Sequence, residues 1–161
     1  MSTYFRIWHS IAVLFLVVPL WACGSGQQVT QASAKTGSEE VARPSNPGGP
    51  GKAVTLTGDP AKGAEIFNAK CISCHNAEGK GGIANPGSAD GTVPPLNPID
   101  PTLYSQDYKT FATNLDLFIE HGSTPEGENP PLKMPAVGDD KRLTPQQIAD
   151  VIAYIIGLNK K

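Results

Sequence analysis

The sequence predicts a small all-α domain, and three observations carry that reading. An Asp or Thr stands directly before a proline at Asp59-Pro60, Asp100-Pro101 and Thr144-Pro145, the order of a helix N-cap and its first helical residue. Near the C-terminus Ile148, Val151, Ile152, Ile155 and Ile156 recur at helical spacing. No segment sustains the apolar–polar alternation of a strand. The chain's 161 residues make a one-domain length, and its 13 basic and 15 acidic side chains leave a formal net charge of -2. That balance offers no polybasic footprint to nucleic acid. With 17 glycines and 15 prolines, well above average usage, much of the chain must be loop or linker.

Residues 1–10 hold one basic side chain, Arg6, and no acid, and residues 11–22 form an unbroken apolar run. Twelve residues rise only about 18 Å as a helix, short of a bilayer core of roughly 30 Å. A basic start, a short apolar stretch and small residues after it read as an export signal over residues 1–22. The run ends in Leu20-Trp21-Ala22-Cys23, followed by Gly24-Ser25-Gly26. This resembles the lipobox of bacterial lipoproteins. The resemblance implies that Cys23 is acylated, becomes the mature N-terminus and anchors the protein at the extracytoplasmic face of a cell membrane. The alternatives are a signal cut elsewhere and an uncleaved anchor lengthened by residues 4–9. In each, the bulk of the protein lies outside the cytoplasm.

Residues 23–57 read as a flexible tether. Of the 34 residues after Cys23, 21 are Gly, Pro, Ser, Thr, Gln or Asn, and only Val29, Val41, Val54 and Leu56 are large aliphatics. Such a stretch buries too little apolar surface to offset its ordering entropy. As a flexible chain it would span about 30–35 Å root-mean-square. A spacer of unselected length and a segment laid along a partner subunit are the other readings.

The chemistry sits at residues 71–75, Cys71-Ile72-Ser73-Cys74-His75, the CxxCH pattern of c-type haem attachment. On a helical turn, positions i, i+3 and i+4 share one face. Cys71 and Cys74 can therefore form thioethers to the two haem vinyl groups while His75 is held under the iron. Covalent attachment suits an exported protein far from cytoplasmic haem supply. A thioredoxin-like redox pair would want a βαβ context, and zinc would want two more Cys or His at short spacing. A structural disulfide is the remaining alternative. Upstream, Asp59-Pro60 starts a helix expected over residues 60–70, which delivers Cys71 at its end. Gly63 and Phe67 lie one turn apart on it, and Gly63 permits close approach by another helix.

The second iron ligand is expected from Met134, the only methionine besides the initiator, in Lys133-Met134-Pro135-Ala136 after a proline-rich stretch. A thioether on iron favours the reduced state. The alternatives are Met134 as a core gap-filler and His121 as a second histidine ligand. His121 reads instead as the last residue of a helix before a Gly122 cap, where a cationic side chain suits the dipole. That helix belongs to a stretch opened by Asp100-Pro101, read either as one long helix or as a short one followed by a second. The last helix opens at Thr144-Pro145-Gln146-Gln147, an N-cap with a capping-box Gln. Its apolar stripe is one-sided and short, as a core face is.

With these motifs in this order, residues 58–158 resemble a class I c-type cytochrome with one haem. The match comprises the Gly-Asp-Pro start with Gly63 and Phe67, the CISCH site, a loop holding Pro94-Pro95-Leu96, the helix end at Gly122, Met134-Pro135-Ala136 and a final helix with Tyr154. The resemblance implies the all-α class I cytochrome c fold over residues 58–161, built around one covalently attached haem c. In it the first and last helices cross, with Gly63 and Phe67 against Tyr154. It further implies that a carbonyl of Pro94 or Pro95, with Pro94 preferred, accepts the other ring N–H of His75 and fixes its tautomer. Both tryptophans, Trp8 and Trp21, lie in the signal, so the domain lacks the indole that some relatives point at a haem propionate. Tyr104, Tyr108 or a backbone group is left for that place.

A haem held by His75 and Met134 has no open position for oxygen, peroxide or another small-molecule substrate, so catalysis is not expected. One-electron transfer between respiratory or photosynthetic membrane complexes is. The expected partners are a donor such as a quinol-oxidising complex and an acceptor such as a terminal oxidase or reductase. A fixed haem subunit of such a complex, for instance alternative complex III, is the second reading, and a haem sensor or peroxidase the third. Residues 58–161 carry 9 basic and 13 acidic side chains, a lean towards a partner with a basic docking patch.

Overall fold

Helix α1 (Pro60–Lys70) starts where the sequence marks it, because both halves of its cap form. The Asp59 carboxylate accepts from the backbone N–H groups of Ala61 at 2.9 Å and Lys62 at 3.4 Å, and Pro60 fills the first helical position. These details come from a computed structural model, which describes residues 48–160. The expected signal, Cys23 and the tether up to residue 47 lie outside the described residues. A second short turn, α2 (Ile72–His75), follows α1 directly and carries the CISCH motif.

The Asp100-Pro101 start does not open a long helix. The Asp100 carboxylate accepts from the N–H and hydroxyl of Thr102, at 2.8 and 2.7 Å, closing a single turn. Helix α3 (Tyr108–His121) begins only at a second cap, Asp107, whose carboxylate takes the N–H and hydroxyl of Thr110. The turn is tied to the helix by the Asn114 amide, which donates to the Leu103 carbonyl at 3.0 Å. Gly122 ends α3 at φ 68°, a positive φ of the kind that favours glycine just past a helix end. Helix α4 (Pro145–Leu158) carries the full capping box between Thr144 and Gln147.

Among the described residues there is no strand beyond two isolated bridge pairs. The fold is therefore all-α, with α1 and α4 crossing at its centre. A Cβ on Gly63 would run into the Asp150 carbonyl and stand 2.9 Å from Tyr154 Cβ, so only glycine allows the crossing distance. Phe67 is fully buried one turn on, its ring 5.3 Å from that of Tyr154. The Asp150 carboxylate closes the crossing by accepting from the Asp59 N–H at 2.8 Å. Phe111, Leu115 and Ile119 of α3 pack with Ile148, Ile152 and Ile155 of α4 in the same core. Each such side chain contributes about 1.5–3 kcal/mol on burial.

The boundary expected at Gly58 moves towards the N-terminus. Lys52–Thr55 form a 3-10 turn whose Ala53 is buried in the core. The Gly51 N–H donates to the Asp116 carboxylate at 2.6 Å, and the Thr57 carbonyl accepts from Gln146 at 2.9 Å. Residues 49–57 are thus held by the domain rather than left as tether. Composition conceals this, because the residue that docks is a small alanine and the partners are distant in sequence.

His121 fastens the same segment. Its Nδ1 lies 2.8 Å from the Asp139 carboxylate and its Nε2 2.7 Å from the Gly49 carbonyl. Both partners are acceptors, so both ring nitrogens carry hydrogen and the ring is cationic. The Gly49 carbonyl first, and then the Asp139 hydrogen bond, raise its pKa above the ordinary 6.5. This contribution to stability is complete below that ordinary value and is lost as pH rises through the raised one. Thermal melts between about pH 5.5 and 8.5 should show the wild type losing more stability on alkalinisation than His121→Ala. Parallel pH profiles for the two proteins would refute the fastening.

Candidate haem site

The end of α1 and the turn α2 set the spacing of the three attachment residues. The Cys71 N–H still bonds the Phe67 carbonyl at 2.8 Å, so Cys71 leaves α1 in a fixed direction. The His75 N–H then bonds the Cys71 carbonyl at 3.0 Å, which brings positions 71, 74 and 75 onto one turn. Cys71 and Cys74 are half-buried free thiols, and Ile72 between them is exposed. Burial, and then the neighbouring Cys74, push the Cys71 thiol up to about 11. A thioredoxin-like pair wants a βαβ context, and the described residues hold no strand beyond two isolated bridge pairs. The two sulfurs do not form a disulfide. No group of three or more His, Cys, Asp or Glu gathers for a metal ion among the described residues, which leaves the zinc reading without its further ligands.

His75 is half-buried with its ring centroid 6.4 Å from that of Phe67. Burial lowers its pKa, which keeps the imidazole neutral and one nitrogen lone pair available to a metal. Its Nδ1 is buried and has no hydrogen-bond partner. The expected bond to Pro94 or Pro95 is therefore not formed. The loop comes near: the Gly81 N–H bonds the His75 carbonyl at 2.8 Å, and Gly81 sits at φ 65° against Pro94 and Pro95. A Cβ on Gly81 would stand 2.8 Å from the Pro94 carbonyl oxygen. The Pro94–Pro95 peptide thus lies close to Gly81, while the His75 ring nitrogen has no acceptor.

Met134 is half-buried and packs against the same core cluster that Cys71 borders. Its backbone pairs on both sides with Ser123: Ser123 N–H to the Met134 carbonyl at 3.0 Å, and Met134 N–H to the Ser123 carbonyl at 2.9 Å. Ser123 follows the Gly122 cap, so the end of α3 fixes where Met134 enters the fold. His121 is taken up by Asp139 and Gly49, which removes it as a second histidine ligand. Tyr104 and Tyr108 are both exposed, and Tyr104 meets Phe111 edge-on at 5.4 Å. One residue escapes the sequence reading altogether. Asn85, 1% exposed, bonds both backbone groups of Leu132, two residues before Met134. In a Gly/Pro-rich loop an asparagine reads as a turn residue, and nothing local signals a partner so far along the chain.

A family model described as Cytochrome c matches residues 60–159. The chain belongs to the cytochrome c family. No curated protein and no solved structure matched it. The match begins at the first residue of α1 and ends just past α4, so it spans the crossing and the whole CISCH turn. Members bind covalently attached haem c and transfer electrons, and this cytochrome does both with an all-α class I fold.

The residues present fit that group. Two reduced, protonatable thiols sit three positions apart, next to a neutral imidazole whose second nitrogen is buried and unpaired. Cys71 and Cys74 would hold the haem by thioethers, and His75 would ligate its iron. The haem supplies the reversible one-electron couple. The protein's own work is to hold the imidazole neutral, to fix its direction through the turn of α2, and to cover it with Phe67.

Proposed function

We propose that this cytochrome is a membrane-tethered carrier of single electrons, with iron held between His75 and Met134 and an acylated Cys23 as its anchor. The observation that carries the reading is the placing of Met134. It is the sole methionine besides the initiator, and it packs against the core that Cys71 borders, on a loop paired to Ser123. With both axial positions filled, the iron exchanges electrons without binding a substrate. The donor and acceptor are membrane electron-transfer complexes, met on the extracytoplasmic face. The lipobox-like Leu20-Trp21-Ala22-Cys23 and the apolar run before it support the anchor.

The anchor is tested by Cys23→Ser. The wild type should sediment with membranes and enter a detergent phase, while the variant should be found in the soluble fraction with its haem spectrum unchanged. Retention of the variant on membranes at wild-type levels would sink the lipid anchor and favour an uncleaved apolar segment or a fixed complex.

A further inference from the structure

We infer that Asn85 is a positioning residue for the sixth iron ligand: its side chain sets the height of the Met134 loop over the haem face. The inference rests on the reading of Met134 as that ligand. Both polar atoms of the Asn85 amide are spent on one residue. Its Nδ2 donates to the Leu132 carbonyl at 3.0 Å, and its Oδ1 accepts from the Leu132 N–H at 2.9 Å. A buried side chain here takes the part of a neighbouring strand, gripping the backbone of residue 132 from both sides.

Asn85 can do this because its own backbone is fixed. Its N–H donates to the Gly91 carbonyl at 2.8 Å, and its carbonyl accepts from Ser88 Oγ at 2.8 Å. The loop around it is closed by Val93 N–H to the Ile83 carbonyl at 2.8 Å and Gly82 N–H to the Val93 carbonyl at 2.9 Å. Gly81, next in line, holds the His75 carbonyl. Hydrogen bonds and the short backbone stretches between them thus link His75 to Leu132, and only Lys133 separates Leu132 from Met134.

Met134 is thus held on one side by Ser123 and on the other by Asn85 acting through Leu132. The segment between, residues 124–131, holds three prolines and packs back on the Asn85 loop where Gly127 and Asn129 lie against Gly87. A second contact, Ala89 N–H to the Glu126 carbonyl at 2.7 Å, draws the same two loops together but lies eight residues before Met134. Apart from Ser123, which pairs with the Met134 backbone itself, Asn85 is the nearest side-chain grip on this loop, and the sulfur's approach to iron depends on the loop it fixes. The hold of a thioether on iron is weak enough for such a shift to matter.

The experiment uses the haem-loaded full-length protein, with carbon monoxide as the probe of an open sixth position. In Asn85→Ala, ferrous protein should bind carbon monoxide at least about tenfold faster than wild type, and the sulfur-to-iron charge-transfer band should be lost well below the temperature of global unfolding. Thioether attachment should be unchanged. Asn85→Asp keeps an acceptor for the Leu132 N–H but no donor for its carbonyl, and should fall between the two. If Asn85→Ala yields no folded protein, Asn85→Asp decides alone, and wild-type binding by it overturns the inference. A drop in melting temperature with unchanged carbon monoxide kinetics and band also overturns it, since that marks a purely structural role. Met134→Ala separates this from failure of the ligand reading. If that variant keeps the band and binds carbon monoxide no faster than wild type, Met134 is not the ligand.

Discussion

With Cys71 and Cys74 both replaced by alanine, the protein should run on a denaturing gel without any haem-dependent peroxidase stain. The wild type should keep its stain through boiling in detergent. The difference is absolute because thioethers are covalent and survive unfolding, whereas axial ligands release iron once the chain loses its shape. The geometry makes both sulfurs available, since each is a half-buried free thiol and the two share a single turn with His75. Either single variant should keep one thioether and stain more weakly. The double variant should also be the less stable protein, because an all-α domain of this size has little core to lose. A stain that persists in the double variant would mean the CISCH motif is not the attachment site.

The second large effect is expected from Met134→Ala. On the proposed ligation, loss of the thioether removes a ligand that favours ferrous iron, so the midpoint potential should fall. Each tenfold change in the preference for reduced iron is about 59 mV for one electron, and two such steps, about 120 mV, are a reasonable lower bound. The ferrous variant should also take up carbon monoxide at the vacated position. The fold should tolerate the change, because Met134 is only half-buried and its backbone pairing with Ser123 does not involve the side chain. An unchanged potential together with no carbon monoxide binding would rule Met134 out.

The helix crossing and the turn that carries CISCH were legible from residue type and spacing. CISCH and the Gly63–Phe67 pair are local signals, and the structure puts the first on one turn and the second in the helix crossing. The caps at Asp59 and Thr144 were equally plain, and α1 and α4 begin where those caps place them. Asp100-Pro101 carries the same local signal and produces only a turn. An Asp-Pro pair fixes the first few bonds, and whether a helix grows from them depends on the caps further along; here Asp107 takes the helix start. The remaining surprises are long-range. The docking of Gly51 depends on Asp116, 65 residues away, and Asn85 finds its partner at a separation of 47. No window on the sequence is wide enough to show such pairs. The missing bond between Pro94 and His75 has another origin, since the expectation came from a resemblance and not from a local signal in these residues.

The crossing of α1 with α4 has a consequence for how the molecule is made. The bond from Asp59 to Asp150 joins residues 91 apart, and the Gly63 seat is furnished by the same last helix. Closing a loop of that length costs entropy that is recovered only when both ends are present. A growing chain that has reached Met134 still lacks Tyr154 and the α4 face on which Phe67 and Gly63 seat. The domain can lock only after its final helix is out, and until then the CISCH segment hangs from an unfinished core. The interval in which the CISCH turn is held by less than its full core is therefore set by the last helix.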